Sequence, residues 1–426
     1  VASRLMLERM MHRQSIAVPG DSMATYALVK LIPGGGSAPS LPLNLALALD
    51  ISGSMYWDDG TGKSRLDRIR EASLAAIDKL GPNDRIAIVA FANGAQVVLP
   101  STPVSEKDRI KEVLAGIDRF DVDQAGTTMH EGIGKAMEEI SKSGNDRALS
   151  QVVVLTDGET AGESICRELA EAAKKKSIRF SVIGIGTEWN SALLKDLARV
   201  SDGRWYYIDA EKSDEAMKVF LTEFDRLADT GYSKVEINVR PVKDVKVKRL
   251  RLVVPQIKEI PLKQVDDRLV TAELGTLERS HQAKYILDLS LPKRPDGKYV
   301  VAQIEVKYNS GTGNDESTGP IPLEMSYTSA GHGYVNAEVA RHIDEVQIFE
   351  LNSNLQQAIH GENKAEVQRV AEQIAKKGEV LGPRGAKKTQ LARQVLEELN
   401  VGGKVSKKTQ LAVDDAARSA DDLPPS

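Results

Sequence analysis

The 426-residue chain carries 57 Lys and Arg against 61 Asp and Glu, a formal net charge of -4 at pH 7, with 41% hydrophobic and 28% charged residues. That length exceeds what one hydrophobic core usually supports and points to two or three domains, while the near-neutral balance speaks against a basic nucleic-acid-binding stripe. No apolar run approaches the length of a membrane span, and the lone cysteine, Cys166, excludes an internal disulfide and suits a reducing compartment.

The opening "VASRLMLERMMHRQS" is interrupted by charge and lacks the core of a signal peptide, which reads as cytoplasmic. "ATYALVKLIP" (24–33) reads as a strand of an antiparallel unit that resumes only after residue 230. Between 41 and 228, short Val/Ile/Leu runs alternate with amphipathic segments of helical period, the pattern of a mostly parallel sheet covered by helices. The expected strands are 43–50, 85–91, 151–157, 179–186 and 204–209, with 95–100 as an antiparallel edge. Helices are expected at 65–80, 105–119, 129–142, 162–176, 190–200 and 212–228, and Cys166 falls on one of them as a buried or half-buried thiol.

From 233 to 328 the texture changes to period-two strands separated by Pro, Gly and Asp turns, which predicts an antiparallel sandwich. Beyond 334, Val339, Ile343, Val346 and Phe349, then Val367, Val370 and Ile374, recur at helical spacing and predict two to three helices. "KKTQLA" occurs at 387–392 and again at 407–412, as two similar helix starts. The end, "DDAARSADDLPPS", reads as a polar disordered tail. The domain reading is therefore an N-terminal segment with the first sandwich strand (1–38), an α/β domain inserted at 39–230, a β-sandwich (231–330), a helical hairpin or bundle (331–400) and a polar tail (401–426).

Ligands of open α/β sheets collect at the carboxyl ends of the strands. Three oxygen-bearing clusters land there: Asp50, Ser52 and Ser54 in "LDISGSM", Thr127 and Thr128 in "AGTTM", and Asp157 in "LTDGET". Gly53 lets the backbone turn beneath the first cluster, so that its three oxygens can aim at one point. Oxygen donors without His or Cys suit Mg²⁺, Ca²⁺ or Mn²⁺ rather than Zn²⁺.

A lone D-x-S-x-S is weak, because Asp and Ser commonly cap turns. Its order with G-T and T-D-G resembles the metal-ion-dependent adhesion site of von Willebrand factor A domains, over residues 40 to 228. The resemblance implies a Rossmann-like, doubly wound sheet, with Ser52, Ser54 and Thr127 as direct or near-direct ligands and Asp50 and Asp157 binding directly or through water. It favours Thr127 over Thr128, although Ala125 stands where the family has a first Gly. An ion held mainly by neutral hydroxyls stays under-neutralised, and in the family an Asp or Glu of a partner protein fills the open face.

That makes the site a recognition device and the protein a non-enzyme. The implied setting is an intracellular bacterial adaptor, for example to an AAA+ ATPase or a signalling system. The alternatives are a surface or secreted adhesin and a Mg²⁺-dependent phosphohydrolase. A dinucleotide fold is disfavoured by the missing G-x-G-x-x-G, and a serine hydrolase by the missing G-x-S-x-G and base. Asp58 and Asp59 sit on a charged Gly loop that is either simply solvated or a source of extra metal or partner contacts, and Trp57 reads as a partly packed lid or, by slight preference, an exposed partner anchor. Asp121 and Asp123 read as solvated loop acids, and His130 as a helix cap or partner contact. The tail acids Asp414, Asp415, Asp421 and Asp422 could reach the open metal face in cis.

Overall fold

The computed structural model describes residues 5–18, 23–34, 40–58, 62–120, 123–143, 148–209, 215–311, 315–331 and 333–418. It divides into two compact units, residues 40–230 and the remainder, 1–39 with 231–426. The chain begins with β1 (Leu5–Met11), β2 (Ser15–Ala17) and β3 (Met23–Pro33) of the second of these units.

It then enters the α/β unit through β4 (Leu43–Asp50), α1 (Arg65–Ile77), β5 (Arg85–Ala92), β6 (Gly94–Pro103), α2 (Lys107–Ala115) and α3 (Met129–Lys142). The unit closes with β7 (Leu149–Thr156), α4 (Glu163–Lys175), β8 (Ile178–Ile185), α5 (Ser191–Val200), β9 (Arg204–Ile208) and α6 (Glu215–Ala228). The sheet order is β6-β5-β4-β7-β8-β9, with only β6 antiparallel to its neighbour. All eight residues of β4 are buried, which is why its sequence is apolar without alternation. Its one interior amide, Asn44, is satisfied by the Ile140 carbonyl at 2.8 Å. From β4 the chain steps to β5 on one side and later to β7 on the other. The carboxyl end of β4 is therefore the switch point of the sheet.

Helix α2 is shorter than its periodicity predicts. Gly116 ends it, and 3₁₀ turns at Val104–Glu106 and Ile117–Arg119 take up the flanks.

After α6 the chain forms β10 (Thr230–Pro241), β11 (Lys246–Val254), β12 (Lys258–Ile260), β13 (Lys263–Asp266), β14 (Leu269–Glu278), β15 (Ala283–Leu291), β16 (Gly297–Asn309), β17 (Glu316–Ser317) and β18 (Ile321–Thr328). One sheet runs β1-β3-β15-β11-β12 and the other β13-β14-β10-β16-β18-β2, with β17 on β16. Their inner faces share one core, including Leu5, Leu31, Tyr232, Leu287 and Ile304. Strand β3 pairs along its length with β1 and β15, so the N-terminal residues are integral to the sandwich.

Helices α7 (Ala337–His360), α8 (Lys364–Val380), α9 (Ala386–Gly402) and α10 (Lys407–Arg418) follow. Val339 and Val346 of α7 cover Leu28, Val253 and Ile286 on the outer face of the first sheet. The reading of 401–426 as a disordered tail is corrected for 407–418, which form the fourth helix, while 419–426 lie outside the described residues. Leu411, Val413, Ala416 and Ala417 are buried, so a segment that looks polar in bulk still supplies one apolar stripe. Asp414 accepts from Asn352 at 2.8 Å and Asp415 lies 3.7 Å from Lys387, which removes both as free tail acids. Asp421 and Asp422 lie outside the described residues. Among the described residues, no helix is long and apolar enough to cross a membrane.

The first turn of α7 is clamped to the sandwich through Glu338, which accepts from Lys30 at 2.8 Å and Lys284 at 3.0 Å. Burial would raise its pKa, but the two lysine hydrogen bonds outweigh it and bring the carboxyl down to about 2 from 4.5. A carboxyl depressed in the folded state contributes stability above its unfolded pKa and loses it as pH falls through the folded one. The acid limb of melting temperature between pH 5 and 2 is therefore expected to flatten in Glu338→Gln, by a modest amount because the carboxylate is partly solvated.

Candidate metal centre

At the end of β4, Asp50 is fully buried and accepts from its own turn, Ser52 N to Oδ1 at 2.9 Å. Its second oxygen accepts from Thr156 Oγ1 at 2.6 Å. Register explains this contact: β4 pairs in parallel with β7, Leu49 beside Leu155, so the next residues are Asp50 and Thr156. Asp157 follows, also fully buried, and its Oδ1 accepts from Ser54 Oγ at 2.7 Å. Ser52 and Ser54 hydroxyls lie 3.3 Å apart, on a 3₁₀ turn at Gly53–Tyr56. Four of the five residues singled out in the sequence thus form one hydrogen-bonded group of oxygens.

The fifth, Thr127, lies in the loop before α3. Its carbonyl accepts from Ala161 N at 2.9 Å and Thr160 Oγ1 at 3.0 Å. Thr160 also receives the Met129 amide at 2.9 Å and so stitches the 158–162 loop to the start of α3. The neighbouring Thr128 is engaged elsewhere. The Thr128 hydroxyl donates to Ala92 O at 3.0 Å and accepts from Gly94 N at 2.8 Å, committing it to the β5–β6 turn. The loop reaches the Ser52–Ser54 turn through Gly53 N to Gln124 O at 3.2 Å and Gln124 Nε2 to Tyr56 OH at 3.2 Å.

The electrostatics are those of buried anions. Burial pushes the Asp50 carboxyl up to about 6, the nearby Asp157 charge adds to this, and the Thr156 and Ser52 hydrogen bonds offset only part. No basic side chain among the described residues pairs with Asp50. Asp157 has one such partner, Arg65, whose Nη1 donates to Oδ2 at 2.6 Å. Thr156 opens the T-D-G motif but is not among the site residues singled out in the sequence, and its bond to Asp50 follows from strand register; nothing local in the sequence points to Arg65.

The neighbouring candidates resolve differently. Asp123 is exposed and braces its loop, accepting from Asn93 Nδ2 at 2.7 Å and Ala125 N at 3.0 Å. His130 Nδ1 meets Ala161 O at 3.3 Å, and its ring packs on Gly162 so closely that a Cβ there would lie 2.6 Å from Nδ1, at a φ of +72° that itself favours glycine. Asp58 accepts from Gly62 N at 3.1 Å, and Trp57 is 59% exposed beside it. Asp59 and Asp121 lie outside the described residues.

Comparison with known proteins speaks to the family and the fold. Residues 44–220 match the von Willebrand factor type A domain family. An uncharacterized protein of Synechocystis sp. is 27% identical over 292 residues, covering 67% of this chain and 66% of the relative. The uncharacterized protein YfbK of Escherichia coli is 27% identical over 227 residues, 52% of this chain and 38% of its own. The chain therefore spans less than two thirds of the length of these relatives. A solved structure, a von Willebrand factor type A protein from Catenulispora acidiphila, superposes with a TM-score of 0.75 at 15% identity, covering 98% of this chain and 97% of that one. At that identity the likeness speaks for the fold, and it extends over both units.

Proposed function

With residues 44–220 forming a von Willebrand factor type A domain, we propose that the protein is a metal-dependent protein-interaction module. In this reading Asp50, Ser52, Ser54, Thr127 and Asp157 hold a divalent cation, Mg²⁺ or else Ca²⁺ or Mn²⁺, and an Asp or Glu carboxylate of a partner protein completes it. The observation that carries the reading is the convergence of two fully buried carboxylates with the Ser52 and Ser54 hydroxyls at the sheet's switch point.

The residues fit such an ion. Every donor is a hard oxygen. The Ser54 hydroxyl gives its proton to Asp157, which turns its lone pairs toward other ligands. Asp50 is held at a cost that a cation would offset. When bound, the ion supplies Lewis-acid attraction for an incoming carboxylate.

Recognition suits the surroundings better than catalysis. The His130 ring is engaged with the Ala161 carbonyl, and burial, aided by Glu163, pushes the Cys166 thiol up to about 11. We place the protein in the bacterial cytoplasm as an adaptor, for example to an AAA+ ATPase or a signalling system. A single, buried Cys166 and the bacterial relatives are compatible with that setting.

Calorimetric titration of the full chain with MgCl₂ and MnCl₂ tests the site. Ser54→Ala and Thr127→Ala are each expected to weaken binding by about tenfold or more. Thr128→Val should leave affinity unchanged and instead lower stability, because its hydroxyl serves the β5–β6 turn. Wild-type affinity in both alanine variants overturns the site, and retention of an acidic peptide in chelator overturns the metal-dependent mode.

A further inference from the structure

The motif accounts for the oxygens but not for the guanidinium beside them. Arg65 is the first residue of α1, and its side chain is only 16% exposed. One end is fixed by Asp157 Oδ2 at 2.6 Å. On the other side its guanidinium carbon lies 5.6 Å from the centroid of the exposed Trp57 ring, a cation–π distance. The Arg65 amide also donates to the Trp57 carbonyl at 3.3 Å, so ring and guanidinium are tied through the backbone as well. The helix does not need this side chain for its start, because Ser64 and Asp67 already form the capping box.

Counting charge gives Arg65 a role. Asp50 and Asp157 supply two negative charges against the two positive ones of a divalent ion, so the open face of the ion attracts an anion locally while the site as a whole gains nothing from net charge. Arg65, sharing Asp157 with Ser54, restores one positive charge at short range and in a partly desolvated place. We propose that Arg65 is a specificity-determining residue of the metal centre: it keeps the loaded site net positive, loosening the hold on the cation and strengthening its demand for a carboxylate ligand. The inference rests on the metal-binding reading above. The exposed face of Trp57 becomes the wall beside which that carboxylate's own chain would lie.

A purely structural tie between α1 and the end of β7 would behave differently. Loss of such a tie leaves both affinities alone or weakens them together, whereas loss of a charge moves them in opposite directions. The test titrates Mg²⁺ into wild type, Arg65→Met and Arg65→Lys, then titrates acetate into each Mg²⁺-saturated protein at constant ionic strength. Arg65→Met is expected to bind Mg²⁺ about tenfold tighter and acetate about tenfold weaker, the scale of one unit charge removed from a partly screened site. Arg65→Lys keeps the charge and should stay near wild type in both. Affinities in Arg65→Met that are unchanged, or that fall together, overturn the inference while leaving the metal site standing. A wild type that takes up no cation overturns the underlying reading, and this inference with it.

Discussion

Asp50→Asn is expected to lose Mg²⁺ binding by at least about a hundredfold, more than the ten- to hundredfold usually lost with a partner one bond removed from the ion. The substitution keeps the shape of the side chain. It removes one of two full negative charges in a site where the remaining ligands include neutral hydroxyls, so the ion loses its main counter-charge. The same change should leave the metal-free fold at least as stable as wild type. Asp50 is wholly buried, no basic partner faces it among the described residues, and burial has already raised its pKa to about 6. Thermal melts with and without Mg²⁺ separate the two effects. Wild type should gain melting temperature with metal, whereas Asp50→Asn should show no metal-dependent gain from an equal or higher starting point. An Asp50→Asn protein that melts far below metal-free wild type would make Asp50 a structural carboxylate, and an unchanged Mg²⁺ affinity would remove it from the centre.

The parts of this protein that were legible from sequence are those where one residue's neighbours along the chain are also its physical environment. Strand β4 declared itself because burial on both faces demands a continuous apolar run, and the run ended where the sheet ended. Asp50, Ser52 and Ser54 were legible for the same reason, as a single turn carries all three. The role of Thr156 was not, although it opens T-D-G, because its bond to Asp50 is set by the pairing of β4 with β7, a register no local pattern states. Arg65 lies beyond a charged Gly loop and meets Asp157 only through the packing of α1. Strand β1 escaped notice because Met6, exposed at 51%, is apolar like its buried neighbours Leu5 and Leu7, which blurs the period-two signal. The start of helix α10 was legible in the second "KKTQLA", but its continuation through residue 418 was not, because acids and lysines dominate the composition while its few apolar residues do the packing.

Helix α3 carries the loop of Thr127 at its head, so its distance from the sheet should set both stability and the metal site. Gly132 fixes that distance. A Cβ there would lie 2.6 Å from Cδ1 and 2.8 Å from Cγ of Phe91, a ring buried in β5 with nowhere to turn. Gly134, two residues on and some 200° around the helix, would place a Cβ in open space. Gly132→Ala is therefore expected to cost about 2 kcal/mol through overpacking, or roughly 4–8 °C in melting temperature for a unit of this size. Gly134→Ala should instead stabilise by up to about 1 kcal/mol, since it removes only the entropic penalty of a helical glycine. The metal readout sharpens the contrast. Pushing the first turn of α3 off the sheet strains the bonds from Thr160 and Ala161 that hold the Thr127 carbonyl, so Gly132→Ala should also weaken Mg²⁺ binding severalfold, while Gly134→Ala leaves it unchanged. Two alanine variants of one helix that melt and bind alike would show that α3 does not approach β5 as closely as the Gly132–Phe91 contact requires.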